Sequence, residues 1–415
     1  MNATRREFLR YSIATGGLVS WGLTVPKFLS QTALATPLAD KKGAKDTILV
    51  VVQLTGGNDG LNTVVPFADP EYAKLRPTLK LPKDQLKKVN DQIGLHPSLE
   101  GLAKLLQDQS LCIVQGVGYP NPDQSHFRSM DIWQAGSTAA SANEGWLGRA
   151  LKQLPNPPAF HVAGPNQASP LALAGAPIRV PSIAALEGFQ LRTSSTSGGT
   201  EKKEQRDLME EAARPKASKS PGLLDFVQRT AVNTYASSQR LQEIGKNYQP
   251  KAPYPNVPLA NHLKLAAQLI DADLGARVFY VSIDGFDTHA NQLNSHANLL
   301  RQLSDSMTAF YQDMSARGHK DRLMMMTFSE FGRRPYENGS MGTDHGAAAP
   351  MFLVGSKIKA GAVGKHPSLT DHNFGNLKHS MDFRQVYAAI LDKWLGVSSK
   401  EVLGQTFEHA AIWKS

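Results

Sequence analysis

Two Asp–His pairs carry the clearest chemistry in this chain. "GFDTH" sets Asp287 and His289 two positions apart. In an extended segment, residues i and i+2 point to the same side, so a carboxylate and an imidazole spaced in this way can hold one divalent ion. "MGTDHG" sets Asp344 beside His345 between Gly342 and Gly346. Those glycines permit unusual backbone angles and close approach of another group, whereas a turn needing only polarity would be served as well by Asn or Ser. A local reading exists for each pair. Asp287 would cap a helix starting near Ala290, and Asp344 would satisfy the amides of its own turn. Two such pairs in one chain favour the metal reading.

Other reactive side chains follow the same kind of segment. Asp59 lies in "GGNDGLN", where Gly56, Gly57 and Gly60 do not follow G-x-G-x-x-G and no phosphate-binding lysine follows, which excludes a dinucleotide fingerprint. An acid at this place suits a ligand joining two metal sites, or an Asn-Asp-Gly turn. Ser125 precedes the helical "HFRSMDIW". It reads as a helix N-cap, and beside a divalent cation its hydroxyl could serve as a nucleophile. His126 reads as a ligand, a general acid or a hydrogen-bonding histidine. Arg333 and Arg334 follow Glu330. A guanidinium here could grip a phosphate or sulfate in bidentate fashion, or pair with Glu330.

The elements that position these groups share one grammar, a short apolar run followed by glycine and polar residues. Runs begin at Thr47 ("TILVVVQLTGG"), Ser110 ("SLCIVQGVG"), Ala276 ("ARVFYVSIDG") and Arg322 ("RLMMMTFSEFG"), with "APMFLVGSKI" as a further strand. Continuous apolar runs predict strands buried on both faces of a mostly parallel sheet. Between and after them, "HPSLEGLAKLLQDQ", "NLLRQLSDSMTAFYQDMSARG" and "DFRQVYAAILDKWLG" carry helical spacing, the last two ending at Gly318 and Gly396. The alternation predicts an α/β fold. Ligands in such folds bind beyond the carboxyl ends of the strands, which is where the residues above fall.

The chain has 415 residues, 41% hydrophobic, with net charge +9. Its basic residues are scattered, so nucleic-acid binding is not expected. Cys112 is the single cysteine; it excludes an intrachain disulfide and reads as a small core residue. Arg5-Arg6, followed by "EFLR", a weakly apolar stretch and Ala33-Leu34-Ala35, predicts a cleaved twin-arginine export signal over residues 1–35. The protein would then work in the periplasm or outside the cell, touching membrane only through that signal if uncleaved. Residues 192–221, rich in Ser, Gly, Lys and Glu, predict a mobile insertion within a single domain spanning 36–415.

Taken in order, "LTGGNDGLNTVVPFADPEYAKLRPTL", "GLHPSL", "PDQSHFRSMDIWQAG", "GWLGR", "GFDTHANQ", "FSEFGRRPYENGSMGTDHG" and "DFRQVYAAILDKWLG" resemble the bacterial domain-of-unknown-function 1501 family. That family looks like a branch of the alkaline-phosphatase-like superfamily. The resemblance implies a three-layer sandwich with a mostly parallel central sheet and helices on both faces. It also implies a centre holding divalent ions (Zn, Mn, Ca or Mg), with Asp59 as the acid after the first strand and Ser125 as nucleophile. Asp287 and His289 would serve one metal and Asp344 with His345 the other. A third histidine has no clear counterpart, with His372 and His379 as candidates. The cysteine-led sulfatase signature is absent, because Ile, Val and Gln follow Cys112. The expectation is an exported metal-dependent hydrolase of anionic phosphate or sulfate esters, small or polymeric, with Ser125 or a metal-bound water as nucleophile and His126 and Arg333 in support. The alternative is an exported, non-catalytic binding or scaffold protein on the same fold.

Overall fold

The computed structural model describes residues 46–139, 142–154, 159–164, 167–186 and 243–414. The expected export signal at 1–35 and the expected insertion at 192–221 lie outside the described residues. The chain divides into two compact units, one made of Met1–Gly43 with Ala185–Tyr248 and the other of Ala44–Ala184 with Gln249–Ser415. In the first, residues 243–247 are helical. Everything that follows concerns the second.

Its frame is a nine-stranded sheet. The strands are β1 (Ile48–Leu54), β2 (Leu111–Gly118), β3 (Ala159–Val162), β4 (Ser182–Ile183), β5 (Val278–Ile283), β6 (Leu323–Phe328), β7 (Ala349–Gly355), β8 (Gly361–Val363) and β9 (Met381–Asp382). In space they run β8-β2-β7-β6-β1-β5-β3-β4, with β9 also on β2. All pairings are parallel except those of β7, which is antiparallel to both β2 and β6. The five apolar runs of the sequence are thus five adjacent strands at the centre. Every residue of β1, β2 and β6 is buried, as continuous apolar strands covered on both faces require.

Alternate side chains serve opposite faces of the sheet. Leu49, Val51, Val114, Tyr280, Met324, Met326 and Leu353 pack with Trp133, Trp146, Leu147 and Tyr387. These come from helices α3 (His126–Ala135), α4 (Trp146–Gln153) and α7 (Phe383–Ile390). Helix α1 (Pro70–Leu75) follows β1, and against the other face lie α2 (Glu100–Gln107), α5 (Pro258–Asp271) and the long α6 (Gln292–Ala316), packed on one another and on the sheet. Each buried aliphatic or aromatic side chain contributes about 1.5–3 kcal/mol, so the central strands are fixed far more firmly than the loops at their ends. Cys112 is wholly buried in this core, and burial pushes its thiol up to about 12. No helix among the described residues is long and apolar enough to cross a membrane.

The one antiparallel strand decides where the second Asp–His pair goes. Because β7 runs against its neighbours, its start at Ala349 lies at the edge where β1, β2, β5 and β6 end. The loop that enters β7 carries Asp344 and His345, and so arrives beside the loops that leave the parallel strands.

Candidate metal centre

Each of the loops leaving β2, β5 and β6 supplies one part of the centre, and the loop entering β7 supplies another. His126 opens α3 after β2, Asp287 and His289 follow β5, Glu330 and Arg333 follow β6, and Asp344 and His345 precede β7. The loops pass each other at main-chain contact. A Cβ on Gly342 would stand 2.2 Å from the carbonyl carbon of His289, and one on Gly346 would stand 2.4 Å from that of Arg333. Neither glycine has a positive φ. The flanking glycines of "GTDHG" are therefore there for close approach, and a bridge between Arg333 and His345 joins the two loops.

Around Asp287 the polar atoms converge. Its Oδ1 is 3.0 Å from His289 Nε2, 3.2 Å from His345 Nε2 and 2.7 Å from Arg333 Nη2, while Oδ2 is 3.5 Å from His126 Nε2. His289 Nε2 and His345 Nε2 are 2.9 Å apart. Ligand atoms of His126, Asp287 and His345 all lie within 4.8 Å of one another. Neither local reading of the aspartates describes the structure. Helix α6 starts at Gln292 behind Asn291 without a side-chain cap, and the Asp344 carboxylate accepts from Asn338 Nδ2 at 3.1 Å and faces His289 Nδ1 at 3.3 Å.

The outer contacts fix which imidazole nitrogens hold protons. His345 Nδ1 is 2.8 Å from the main-chain oxygen of Gln124. A carbonyl can only accept, so Nδ1 carries the proton and Nε2 presents a lone pair. His126 Nδ1 is 2.8 Å from Glu330 Oε1, which already accepts the Gly56 amide. The proton again sits on Nδ1, and His126 Nε2 is buried without a hydrogen-bond partner. His289 differs: its Nδ1 lies 3.3 Å from Asp344, but its Nε2 already accepts from Arg333 Nη1 at 3.4 Å. Two imidazole lone pairs, of His126 and His345, thus face one carboxylate, the arrangement in which outer acceptors orient metal-binding histidines. Donors about 2.0–2.2 Å from a tetrahedral ion stand roughly 3.3 Å apart, and the Asp287–His345 and Asp287–His126 separations bracket that value. The residues fit a divalent cation.

Electrostatics agree. Burial opposes the charge on Asp287, but the Arg333 bond and charge, with His345 and His289, hold its carboxyl below the usual range. The Asn338 bond, followed by His289, holds Asp344 low as well. Burial lowers His345, outweighing the Gln124 and Asp287 contacts that would raise it, which keeps its lone pair free.

Other candidates are placed differently from expectation. Asp59 is fully buried, and both its oxygens are taken, by Arg76 Nη1 and Nη2 (2.9 Å for the latter) and by Gln292 Nε2. The Arg76 charge and bond hold its carboxyl low against burial. It does not meet the converging donors. Arg333 does not offer its guanidinium outward. It is 1% exposed and donates to the oxygens of Gly56, Gly57, Phe286 and Thr343 as well as to Asp287 and, at 3.4 Å, to His289 Nε2. Neither arginine pairs with Glu330; Arg334 reaches Tyr336 Oη and the His345 oxygen. The division into Asp287–His289 and Asp344–His345 metal pairs gives way to one cluster, because His345 sits on Asp287. His372 and His379 are not among the converging donors. His96 lies just ahead of α2, with Nδ1 accepting the Ser98 amide at 3.0 Å. Ser125 occupies the N-cap position of α3, exposed, with no capping bond from its side chain.

Three contributors carry no mark in the sequence. The Gln124 oxygen is main chain. Arg76, in "AKLRPTL", finds Asp59 and the oxygens of Arg334 and Pro335 only through the fold. Asn338, in "ENGSMG", looks like a plain turn residue.

A mixed α/β protein with a His/Asp centre at the carboxyl edge of a mostly parallel sheet is the class that fold and site define. The chain belongs to the family described as protein of unknown function DUF1501, whose model matches residues 46–405. No curated protein matches its sequence. Among solved structures it is similar to the PsFucS1 sulfatase from Pseudoalteromonas sp. (10% identity, 94% of this chain and 78% of that one, TM-score 0.38). It is also similar to the lipoteichoic acid synthase LtaP from Listeria monocytogenes (11%, 92% and 80%, TM-score 0.37). A third is a protein in the alkaline phosphatase superfamily from Vibrio parahaemolyticus (9%, 91% and 77%, TM-score 0.38). Likeness at this level carries no residue role from those proteins to this one.

Proposed function

We propose that this protein is an exported, metal-dependent hydrolase of phosphate or sulfate esters with Ser125 as its nucleophile. The observation that carries the reading is the pair of imidazole lone pairs, on His126 and His345, turned toward the single carboxylate of Asp287. A bound divalent ion supplies Lewis-acid neutralisation of the ester's oxygens. The protein's own groups do the rest. Glu330 and the Gln124 carbonyl hold protons on Nδ1 of His126 and His345, so that both rings present Nε2. Ser125 stands one residue from His126 with a hydroxyl not spent on capping. First-turn amides of the ten-residue α3 favour negative charge there. In the reaction Ser125 Oγ would bond to phosphorus or sulfur as the ester oxygen leaves, the serine proton passing to the departing alcohol. Water then cleaves the seryl ester and restores the hydroxyl. Export rests on the paired arginines and small-residue site of the N-terminal sequence.

The test is turnover of aryl phosphates and aryl sulfates by the full-length protein, with divalent ions supplied and then chelated. Hydrolysis that is lost on chelation and in Ser125→Ala supports the reading. Bound metal without turnover of either ester class would leave a non-catalytic binding protein.

A further inference from the structure

We propose that the centre takes one divalent cation, between His126 Nε2, His345 Nε2 and the Asp287 carboxylate, and that the Arg333 guanidinium is its permanent second positive charge. The inference rests on the metal-dependent reading above and deepens it by fixing the number of ions.

Two ions in one centre are often joined by a bridging carboxylate, and Asp287 is the acid placed to do so. One of its oxygens is already bound to Arg333, 2.7 Å away. The rest of that guanidinium is enclosed by carbonyl oxygens, those of Gly57 at 2.7 Å, Thr343 at 2.8 Å and Phe286 at 3.0 Å, together with Gly56, and by His289 Nε2 at 3.4 Å. Oxygens of this kind are the natural ligands of hard cations. Here the guanidinium uses them, in a setting 1% exposed to solvent. An arginine does not lose its proton in a protein, so the positive charge is fixed. A second divalent ion beside Asp287 would meet repulsion and find its ligands taken.

The remaining acids do not build another site. Asp59 is bound by Arg76. Asp344 has His289 and Asn338 as side-chain neighbours. Among the described residues, one group of three potential ligands converges.

Metal counting on the full-length protein decides the matter. The protein is loaded with excess Mn2+ or Zn2+, freed of unbound ion by gel filtration and analysed by elemental mass spectrometry. One ion per chain is expected in the wild type and in Asp344→Asn, falling below a fifth of an ion in His345→Ala. Two ions per chain, or loss of half the metal in Asp344→Asn, would overturn the proposal, as would no bound ion. In Arg333→Gln, with native folding checked by circular dichroism, removing the like charge should tighten Mn2+ binding at least tenfold. An unchanged Kd in the folded variant refutes the charge assigned to Arg333; if that variant does not fold, wild type and Asp344→Asn still decide. One ion without ester turnover would sink the hydrolase reading alone, and two ions with turnover would sink only the inference made here.

Discussion

Nε2 of His289 lies 2.9 Å from Nε2 of His345, although the two residues are 56 positions apart in the chain. The other nitrogen of each ring faces an acceptor, the Asp344 carboxylate for His289 and the Gln124 carbonyl for His345. Arg333 Nη1 donates to His289 Nε2 at 3.4 Å, which leaves His345 Nε2 as the nitrogen of the pair turned to Asp287 and His126. The fold thus gathers donors where a cation is favoured.

Divalent ions should for that reason stabilise the protein. At 100 times its Kd, a ligand bound only by the folded state adds about 2.7 kcal/mol, enough to raise Tm by several degrees in a thermal melt. His345→Ala and Asp287→Asn should abolish that response to Mn2+ or Zn2+. Equal melting curves with added ion and with chelator would contradict the metal centre.

Asp59 and Arg76 should matter to folding and not to metal. Removing one partner of a buried ion pair costs about 3–5 kcal/mol. Arg76 also ties the oxygens of Arg334 and Pro335, so Arg76→Met belongs at the upper end. Urea unfolding of Asp59→Asn and Arg76→Met should show that loss, while metal content per folded chain stays the same. Metal lost from a stable Asp59→Asn would restore this acid as a ligand.

Ser125→Ala separates chemistry from structure. The side chain is exposed and does not cap α3, so the substitution should change stability by no more than about 0.5 kcal/mol. Turnover should fall at least a hundredfold, by analogy with loss of an activated nucleophile. Retained turnover would shift the nucleophile away from Ser125.

Acid should weaken the fold through His296. This histidine is fully buried beside Asp59 and Arg76, and burial, only partly offset by Asp59, pushes it down to about 3. Its unfolded value is near 6.5, so the unfolded chain binds the extra proton first as pH falls. The stability it contributes is complete above about pH 6.5 and declines continuously toward pH 3, at about 1.4 kcal/mol per pH unit. His96, pushed down to about 4 mainly by burial, adds in the same direction. Between pH 6.5 and 5 each should cost about 2 kcal/mol, read from urea midpoints at the two pH values. His296→Gln should flatten that dependence, and an unchanged slope would count against it.

Much of this was legible in one dimension. Five apolar runs became five buried central strands, since a strand covered on both faces leaves a continuous apolar signature. Helices over "EGLAKLLQ" and "FRQVYAAI" followed their periodicity, and Asp287, His289, Asp344 and His345 were marked by type and spacing. Helices α4 and α5 and strand β3 were not anticipated. The strand has only four residues, and "PLANHLKLAAQLID" is buried over much of its circumference, which blurs a one-sided stripe.

By itself the sequence determined which side chains are available and that they follow strands, because residue type and local periodicity are properties of short segments. Tertiary structure decided their partners. The reversed direction of β7 brought His345 onto Asp287, a buried cage of carbonyls turned Arg333 inward, and Arg76 claimed Asp59. Ion pairing and lone-pair direction depend on atoms a few ångströms apart in space, and those distances exist only once the sheet has set the order of its strands.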